Sequence, residues 1–262
     1  MKHKHLFAMS AAVLFATLVQ AQDQQQQMKP EETEVWQPVP KVVTPGKTNA
    51  DPPSDAIVLF NGQNLNEWVD AQDSSKPAEW KVGNGILTVD KTKGNIRTKR
   101  SFLDYQLHIE WKEPKELTGT GQARGNSGLF LASLGSGDAG YELQILDSYN
   151  NSTYVNGQAA AVYKQTPPLV NASKPVDVWQ TYDVVWTAPR FNSDSTVKTP
   201  AYVTVFHNGV LVQNHTELKG PTQYIGIPGY RHAHGAAPIK LQAHGDKSEP
   251  LSFRNIWIRD IQ

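Results

Sequence analysis

A carboxylate and an amide spaced two residues apart give this sequence its clearest sign of chemistry. In the segment YELQILD, Glu142 and Gln144 alternate with Tyr141, Leu143 and Ile145. This alternation predicts a β-strand with one apolar face and one polar face. Because the polar groups together can donate to and accept from alcohols, such a face suits a ligand rich in hydroxyls, and a sugar is the first interpretation.

Two other runs repeat this pattern. In RGNSGLFL, Arg124, Asn126 and Gly128 fall on one side of a predicted strand, and in LQAHGD, Gln242 and His244 share one side. Histidine can accept and donate a proton near neutral pH, which makes His244 the better candidate for a general acid or base on its strand. The alternatives are a strand face in contact with solvent and, for the histidine, a ring bonded to backbone. We favour a cleft, since polar positions recur in separate strands.

Two loop segments could add to such a site. Tyr163 and Lys164 place an aromatic ring and a cation on a loop or an edge, and aromatic rings stack on the apolar face of sugars. The segment GYRHAHG places His232 and His234 among glycines, where a loop carrying charge over the cleft is the favoured interpretation. Two histidines without a third ligand are weak evidence for a metal. We therefore expect no cofactor, with a divalent metal as the less favoured alternative.

The elements that must position these residues are short strands separated by turn residues, without helical periodicity. The predicted strands span residues 57–60, 80–82, 86–89, 95–98, 105–111, 127–132, 141–146, 180–187, 201–207, 210–213, 239–244 and 251–260. Gly83-Asn84-Gly85 and Asn208-Gly209 are typical of hairpin turns between neighbouring strands. Many short strands without intervening helices predict an all-β fold, an antiparallel jelly-roll sandwich. We expect its core to include Trp111, Trp186 and Trp257.

The chain begins with features of an export signal. Residues 1–21 combine basic residues, an apolar run and a small residue before the predicted cleavage site, Ala21. The apolar run is shorter than the roughly 20 residues that span a bilayer, so we expect cleavage and a periplasmic or secreted protein rather than stable membrane insertion. Residues 22–54 are Gln-rich and then Pro-rich, which predicts a linker. Residues 55–262 form the predicted domain.

Composition excludes several classes of function. The sequence contains no cysteine, which excludes disulfides, thiol catalysis and thiolate metal sites. Its formal net charge of +0 shows no footprint for nucleic acid or for an anionic membrane. A neutral ligand is therefore expected, which agrees with the carbohydrate inferred from the polar strand faces.

From about Asp55 to Gln262 the chain resembles the 3-keto-disaccharide hydrolase family, also called the 3-keto-glucoside-1,2-lyase/hydratase domain and formerly a domain of unknown function. The resemblance is carried by IVLFNGQNLNEW, GNSGLFL, YELQILD, NASKPVDVWQTYDVVWTAPRF, VTVFHNGVLVQNH and PIKLQAHGDKSEPLSFRNIWIRDI. These ordered motifs cover nearly the whole predicted domain. The resemblance implies a fold like that of concanavalin A-like lectins and glucanases, in which a concave sheet holds carbohydrate.

The resemblance also implies a reaction. The substrate would be a glycoside whose C3 hydroxyl a separate sugar 3-dehydrogenase has oxidised to a ketone. The ketone acidifies the hydrogen on C2, so a modest base can remove it, the aglycone can leave C1 by elimination, and water can add back. Proton transfer is assigned to His244 or Glu142. Binding of the enolate or of hydroxyls is assigned to Arg124, Asn126, Gln144 and Gln242.

Two other functions are alternatives. A conventional retaining glycosidase needs two acidic residues flanking the scissile bond, and on this strand Glu142 is followed on the same face by Gln144, so the second carboxylate is missing. A non-catalytic carbohydrate-binding module is barely separable from a lyase by sequence. Such a module would bind unmodified glycan and leave its 3-keto form intact.

Overall fold

The alternating sequences form β-strands in the computed structural model, which describes residues 28–261. The strands are β1 (Ile57–Phe60), β2 (Trp68–Asp70), β3 (Lys81–Gly83), β4 (Ile86–Thr88), β5 (Ile96–Thr98), β6 (Tyr105–Lys112), β7 (Ser127–Ser133), β8 (Gly140–Ile145), β9 (Gln180–Thr187), β10 (Arg190–Phe191), β11 (Val197–Thr199), β12 (Ala201–His207), β13 (Val210–Leu218), β14 (Lys240–Leu241) and β15 (Ser252–Asp260). Short 3-10 helices span Pro30–Thr33, Lys91–Lys93, Gly121–Ala123 and Val155–Gly157. The predicted signal peptide lies outside the described residues. Across residues 28–261, no helix is long and apolar enough to cross a membrane.

The strands assemble into two main antiparallel sheets. The larger sheet has the order β13-β12-β9-β6-β15-β4-β3, with β1 also paired to β15. The smaller sheet has the order β2-β5-β14-β7-β8, and β10 pairs with β11 as a separate ribbon. β7 and β8 are consecutive in sequence and pair with each other, whereas β14, which lies much later in the sequence, pairs with both β5 and β7. The predicted antiparallel jelly-roll sandwich is confirmed.

The core lies between the two sheets. Tyr182 on β9 donates its hydroxyl hydrogen to the carbonyl of Gln144 at 2.8 Å, and Tyr105 on β6 donates to the carbonyl of Leu131 at 2.6 Å. These bonds join the large sheet to the small one. Apolar residues of both inner faces are buried, among them Trp111 and Trp186, as predicted. Full burial of each such large apolar side chain contributes roughly 1.5–3 kcal/mol.

Two hairpin turns form where the sequence predicts them. Asn208 and Gly209 have φ angles of 53° and 80°, and they connect β12 to β13 with His207 opposite Val210. Asn84 and Gly85 adopt φ angles of 52° and 78° in the same way between β3 and β4. Positive φ at both central positions defines the hairpin turn whose twist matches that of antiparallel strands.

Trp257 is buried as predicted, but it does not lie in the core between the sheets. Its indole stacks on His108 with ring centroids 5.4 Å apart, and its Nε1 donates to the carbonyl of Ala50 at 2.9 Å. The pairing of β15 with β6 shifts register between Arg254 and Trp257, around Asn255 with φ of 46°. This bulge reverses the alternation, so Trp257 points to the outer face of the large sheet.

The chain divides into two units between Val42 and Val43, and the second unit begins at Val43. Residues 43–54 of the predicted linker thus belong to the second unit, where Ala50 accepts hydrogen bonds from both Asn255 and Trp257. The strands described above and the site described below lie in this second unit.

Candidate active site

The polar face of the small sheet forms the floor of a cavity of about 270 Å³. The residues that line it are Asn126, Asp138, Glu142, Gln144, Tyr163, Thr222, Tyr224, Gln242 and His244. Six of the eight site residues predicted from sequence are in this set, namely Asn126, Glu142, Gln144, Tyr163, Gln242 and His244. The volume lies near the lower end of the ~300–1,000 Å³ typical of ligand sites.

Strand register explains why these side chains meet. Gly128 on β7 lies opposite Gln144 on β8, and Phe130 lies opposite both Glu142 and Lys240. Residues directly opposite each other in antiparallel strands share one face of the sheet. Glu142 and Gln144 of β8 therefore share one side with Lys240 of β14 and with the positions that adjoin β7 and β14, Asn126 and Gln242, while the apolar positions between them enter the core.

Glu142 is the most perturbed acid of the cavity. Only 6% of the residue is exposed, and within the described part of the chain its carboxylate receives no hydrogen bond. Burial raises its pKa to about 8; the negative charge of Asp138 adds to this effect, and the cation of Lys240 opposes it. A carboxyl with this pKa is largely protonated at pH 7 and can act as a hydrogen-bond donor or general acid.

Two glutamines beside it present oxygens that lack partners. Gln144 donates from Nε2 to Oδ1 of Asn126 at 3.1 Å, which fixes the amide and turns Oε1 away. Among the described residues, neither this Oε1 nor Oε1 of Gln242 has a hydrogen-bond partner, although both atoms are buried. A buried acceptor without a partner costs about 1–3 kcal/mol. Hydroxyl donors on a ligand would remove that cost.

His244 is oriented by a carboxylate that the sequence analysis did not identify. Its Nδ1 lies 2.8 Å from Oδ2 of Asp246, a buried side chain that also accepts from Nζ of Lys91 at 3.2 Å and from the backbone N–H of Ser248 at 2.7 Å. The Ser248 hydroxyl donates to the same carboxylate. Burial acts to raise the pKa of Asp246, but the hydrogen bonds from Ser248 and His244 outweigh it and lower the pKa.

The ionised Asp246 fixes the tautomer of His244. The backbone N–H of Asp246 also faces Nδ1, at 3.2 Å, so Nδ1 could in principle accept a hydrogen bond. The carboxylate oxygen is closer, at 2.8 Å, and can only accept. Nδ1 therefore carries the hydrogen, and Nε2 is the nitrogen free to take a proton from a ligand in the cavity.

Two tyrosines, Tyr163 and Tyr224, also line the cavity. The hydroxyls of Tyr163 and Tyr154 are 2.6 Å apart. Nζ of Lys164 lies 4.6 Å from the ring centre of Tyr154 and 5.2 Å from that of Tyr224. Lys164 does not line the cavity, but as a cation between two rings it holds Tyr224 beside the segment that carries Tyr163.

Residues 55–259 match the 3-keto-alpha-glucoside-1,2-lyase-like domain family. The chain belongs to this family. A provisionally assigned glycosyl hydrolase from Parabacteroides distasonis is 49% identical, with a TM-score of 0.82 over 89% of this chain and 97% of that one. Two further provisionally assigned glycosyl hydrolases from the same organism, 16% and 19% identical, share the fold with TM-scores of 0.55 and 0.56; each match covers 79% of this chain and, respectively, 94% and 99% of the other. No curated protein matches the chain.

A second carboxylate, also missed by the sequence analysis, lines the cavity of this lyase-like domain. Asp138 lies in the loop between β7 and β8 and accepts a hydrogen bond from Nδ2 of Asn95 at 3.2 Å. The fully buried Lys240 holds this loop, because its Nζ donates to the carbonyls of Gly137 at 2.6 Å and Ala139 at 3.1 Å. The Gly- and Ser-rich loop sequence shows no periodicity that would place Asp138 at the site.

Arg124, one of the predicted binding residues, does not line the cavity of the lyase-like domain. Its Nε contacts Oδ2 of Asp147 at 2.5 Å and its Nη1 donates to the carbonyl of Leu117 at 2.7 Å, away from the residues that line the cavity. The prediction extended strand alternation back to residue 124. The strand begins only at Ser127, and Gly125 with φ of 60° turns the chain before it.

His234, one of the two loop histidines of the lyase-like domain, is bonded to the protein on both sides of its ring. Nε2 of His234 accepts from the hydroxyl of Tyr141 at 2.8 Å, and its Nδ1 donates to the carbonyl of Gly235 at 3.0 Å. Both ring nitrogens thus have protein partners. Within residues 28–261, no three or more His, Cys, Asp or Glu side chains are grouped so that they could hold a metal ion.

Proposed function

We propose that this protein is a carbohydrate-active enzyme that cleaves 3-keto-glycosides by elimination of the aglycone, with water adding back to the product. One observation carries the proposal. A buried acid with its pKa raised to about 8, Glu142, shares a cavity with a carboxylate-oriented histidine, His244, and with two amide oxygens that lack partners in the described chain. Family membership and the glycosyl hydrolase relative support the same chemistry.

In the proposed reaction, Nε2 of His244 removes the proton from C2 of the sugar. The electron pair of the C2–H bond moves toward C3, and the ketone oxygen becomes an enolate, to which the neutral carboxyl of Glu142 donates a hydrogen bond. The enolate then re-forms the ketone as a C1=C2 double bond forms and the C1–O bond breaks. The departing aglycone oxygen takes up the proton that His244 removed from C2. Addition of water across C1=C2, with its hydrogen on C2 and its hydroxyl on C1, then gives the free 3-keto sugar.

The amides have a separate role in this proposal. Oε1 of Gln144 and Oε1 of Gln242 accept hydrogen bonds from sugar hydroxyls, and Tyr163 contacts the apolar face of the ring. Because the substrate already carries a ketone, a separate dehydrogenase must oxidise the C3 hydroxyl first. We further propose that the protein is exported; cell fractionation with N-terminal sequencing of the mature chain would test cleavage after Ala21.

Paired substrates test the reaction. The rate constant kcat/KM is measured for a glucoside and for its 3-keto form, with the wild type and with Glu142→Gln and His244→Gln. We expect turnover of the 3-keto form and a loss of about 10²–10⁴-fold in each variant. Glu113→Gln and His215→Gln are matched controls outside the cavity. Near-wild-type rates in both cavity variants would overturn the assignment.

Isotope exchange tests elimination directly. When the reaction runs in D₂O, loss of the C2 proton followed by addition of water places deuterium at C2 of the product, which mass spectrometry detects. Hydrolysis by direct displacement at C1 leaves the C2 hydrogen in place. Binding of native glycan without turnover of the 3-keto form would instead identify a binding module.

Conventional glycoside hydrolysis is the second candidate, because two carboxyl groups, Glu142 and Asp138, line the same cavity. A pair of carboxyl groups on either side of a glycosidic bond, one of them with a raised pKa, is what such hydrolysis needs. This function predicts turnover of the native glycoside without deuterium at C2. It also predicts that Asp138→Asn is as damaging as Glu142→Gln, whereas elimination does not require Asp138.

A further inference from the structure

Exposed apolar side chains cluster on one loop beside the cavity. Tyr224, Ile225 and Ile227 are 73%, 83% and 81% exposed, which makes them the most exposed large apolar residues of the unit formed by residues 43–262, as far as the structure describes it. Single exposed apolar residues are normal on protein surfaces, but three within four positions of one loop mark a contact surface.

Both ends of this loop are fixed. The backbone N–H of Thr222 donates to the carbonyl of Gly140 at 2.8 Å, and its hydroxyl accepts from the backbone N–H of Glu142 at 3.0 Å. At the base, a Cβ on Gly220 would lie 2.5 Å from the carbonyl carbon of Gly229, so the two ends of the loop are in close contact. The loop is therefore anchored on the strand that carries the candidate acid and displays its tip beside it.

The loop reaches the cavity through Tyr224. This residue lines the cavity, and Ile225 and Ile227 come one and three positions after it in the chain. The floor of the cavity is polar, with Gln144 and Gln242 among its lining residues. At about 270 Å³ the cavity is smaller than typical sites for drug-sized ligands, so a glycoside with a bulky aglycone must extend beyond its mouth.

We propose that Tyr224, Ile225 and Ile227 form an aglycone subsite that favours glycosides with a bulky apolar aglycone over those with a small one. The inference rests on the proposed function, because it takes the sugar to occupy the polar cavity. An apolar aglycone that extends from the mouth then covers side chains that otherwise face water, which favours its binding.

Selectivity between two aglycones tests the subsite. Cyclohexyl and methyl 3-keto-glucosides both release simple alcohols, so the ratio of their kcat/KM values reports mainly on contact with the aglycone. We expect the cyclohexyl-to-methyl ratio to fall about tenfold in the double variant Ile225→Ser/Ile227→Ser. This is the lower end of the roughly 10–200-fold that one methylene contributes in an enclosed apolar pocket, because these side chains lie on an open surface. Leu169→Ser/Val170→Ser is the matched control, with apolar residues 63% and 51% exposed on another segment.

The outcomes separate the two proposals. An unchanged ratio in Ile225→Ser/Ile227→Ser, with circular dichroism like that of the wild type, overturns the subsite, whatever other partner the loop then contacts. An equal fall in the control double variant overturns it as well, because the effect would not be specific to this loop. If the wild type turns over neither 3-keto-glucoside, it is the proposed function that fails.

Discussion

Replacing Gly128 by alanine tests how closely the fold positions Glu142. A Cβ on Gly128 would lie 2.7 Å from Oε1 of Glu142 and 3.1 Å from Cε2 of Phe130. Ordinary contacts begin at 3.4 Å, so the carboxyl must move by about 0.7 Å, the difference between 3.4 and 2.7 Å. The φ angle at Gly128 is not positive, and the backbone therefore accepts alanine without strain. The substitution acts through the displaced carboxyl and the neighbouring ring.

The size of the effect follows from this displacement. Misplacing a catalytic group by about 1 Å can cost about 10²-fold in rate, so Gly128→Ala is expected to lower kcat/KM by roughly 10–100-fold. The atoms met by the added Cβ belong to side chains, and the nearest is the end of the flexible Glu142 side chain, so overpacking costs only about 1 kcal/mol of folding free energy. For a domain of this size each kcal/mol lowers Tm by roughly 2–4 °C, so a decrease of a few degrees is expected.

The assay compares kcat/KM on a 3-keto-glucoside and Tm by calorimetry with those of a control variant. Gly83→Ala is suitable, because Gly83 also lies in a strand, has no positive φ, and has nothing within 4 Å of the added Cβ. Both substitutions remove the same backbone freedom from the unfolded chain, so their difference isolates the contact with Glu142. Wild-type kcat/KM in Gly128→Ala would refute the requirement for a fixed carboxyl at this position.

Three further predictions concern titrating groups. Burial raises the pKa of Glu142 to about 8, so kcat/KM should fall as the pH rises through about 8, where the acid loses its proton. This decrease should be absent in Glu142→Gln. A rise in kcat/KM over that range in the wild type would contradict the role of Glu142 as an acid. Asp246→Asn should lower kcat/KM by at least about tenfold and alter its pH profile. The amide of the variant can donate to Nδ1 of His244, which favours the tautomer with its hydrogen on Nε2. Equal pH profiles of kcat/KM for variant and wild type would contradict the positioning role of Asp246. Burial also raises the pKa of Glu113 to about 8, so the folded protein keeps this proton while the unfolded chain loses it, and the Glu113 contribution to stability falls between pH 4.5 and about 8. The wild type should therefore lose Tm between pH 5 and pH 9, and Glu113→Gln, which has no proton to lose, should lose less over the same range, with kcat/KM unchanged. An identical pH dependence of Tm in the two proteins would contradict this.

Strand alternation predicted most of the fold because its period is a local property of the chain. The runs at residues 105–111 and 180–187 became β6 (Tyr105–Lys112) and β9 (Gln180–Thr187). The run at 239–244 pairs regularly only over Lys240–Leu241, since beyond it the backbone N–H of Ala243 turns to the side chain of Asn95. The strands at 68–70, 190–191 and 197–199 were missed, because two or three residues are too few to show the alternation of apolar and polar side chains that identifies a strand.

Site residues on or next to strands could be predicted from the sequence, whereas those on loops could not. Asn126, Glu142, Gln144 and Gln242 follow from alternation, because each lies within a strand or adjoins one on the same face. Asp138 and Tyr224 come from loops, and loop positions depend on contacts between residues far apart in sequence, such as the bond from Lys240 to Gly137. His207 shows the same limit: it ends β12 next to a hairpin turn, yet it is buried against Trp111 and bonds to Gln180.

Burial decides how the polar face of the small sheet is best interpreted. Polar residues on a solvated face are exposed, whereas the exposed fraction of each polar residue on this floor is 6% or less; they are Asn126, Glu142, Gln144, Lys240 and Gln242. The fold loses stability by burying them, since two amide oxygens lack partners in the described chain and Glu142 is held in its neutral form. A protein that only needed a stable sheet would gain by placing apolar residues there. A ligand whose hydroxyls satisfy those oxygens recovers the lost free energy as binding, which is why the same positions that weaken the fold favour a carbohydrate site.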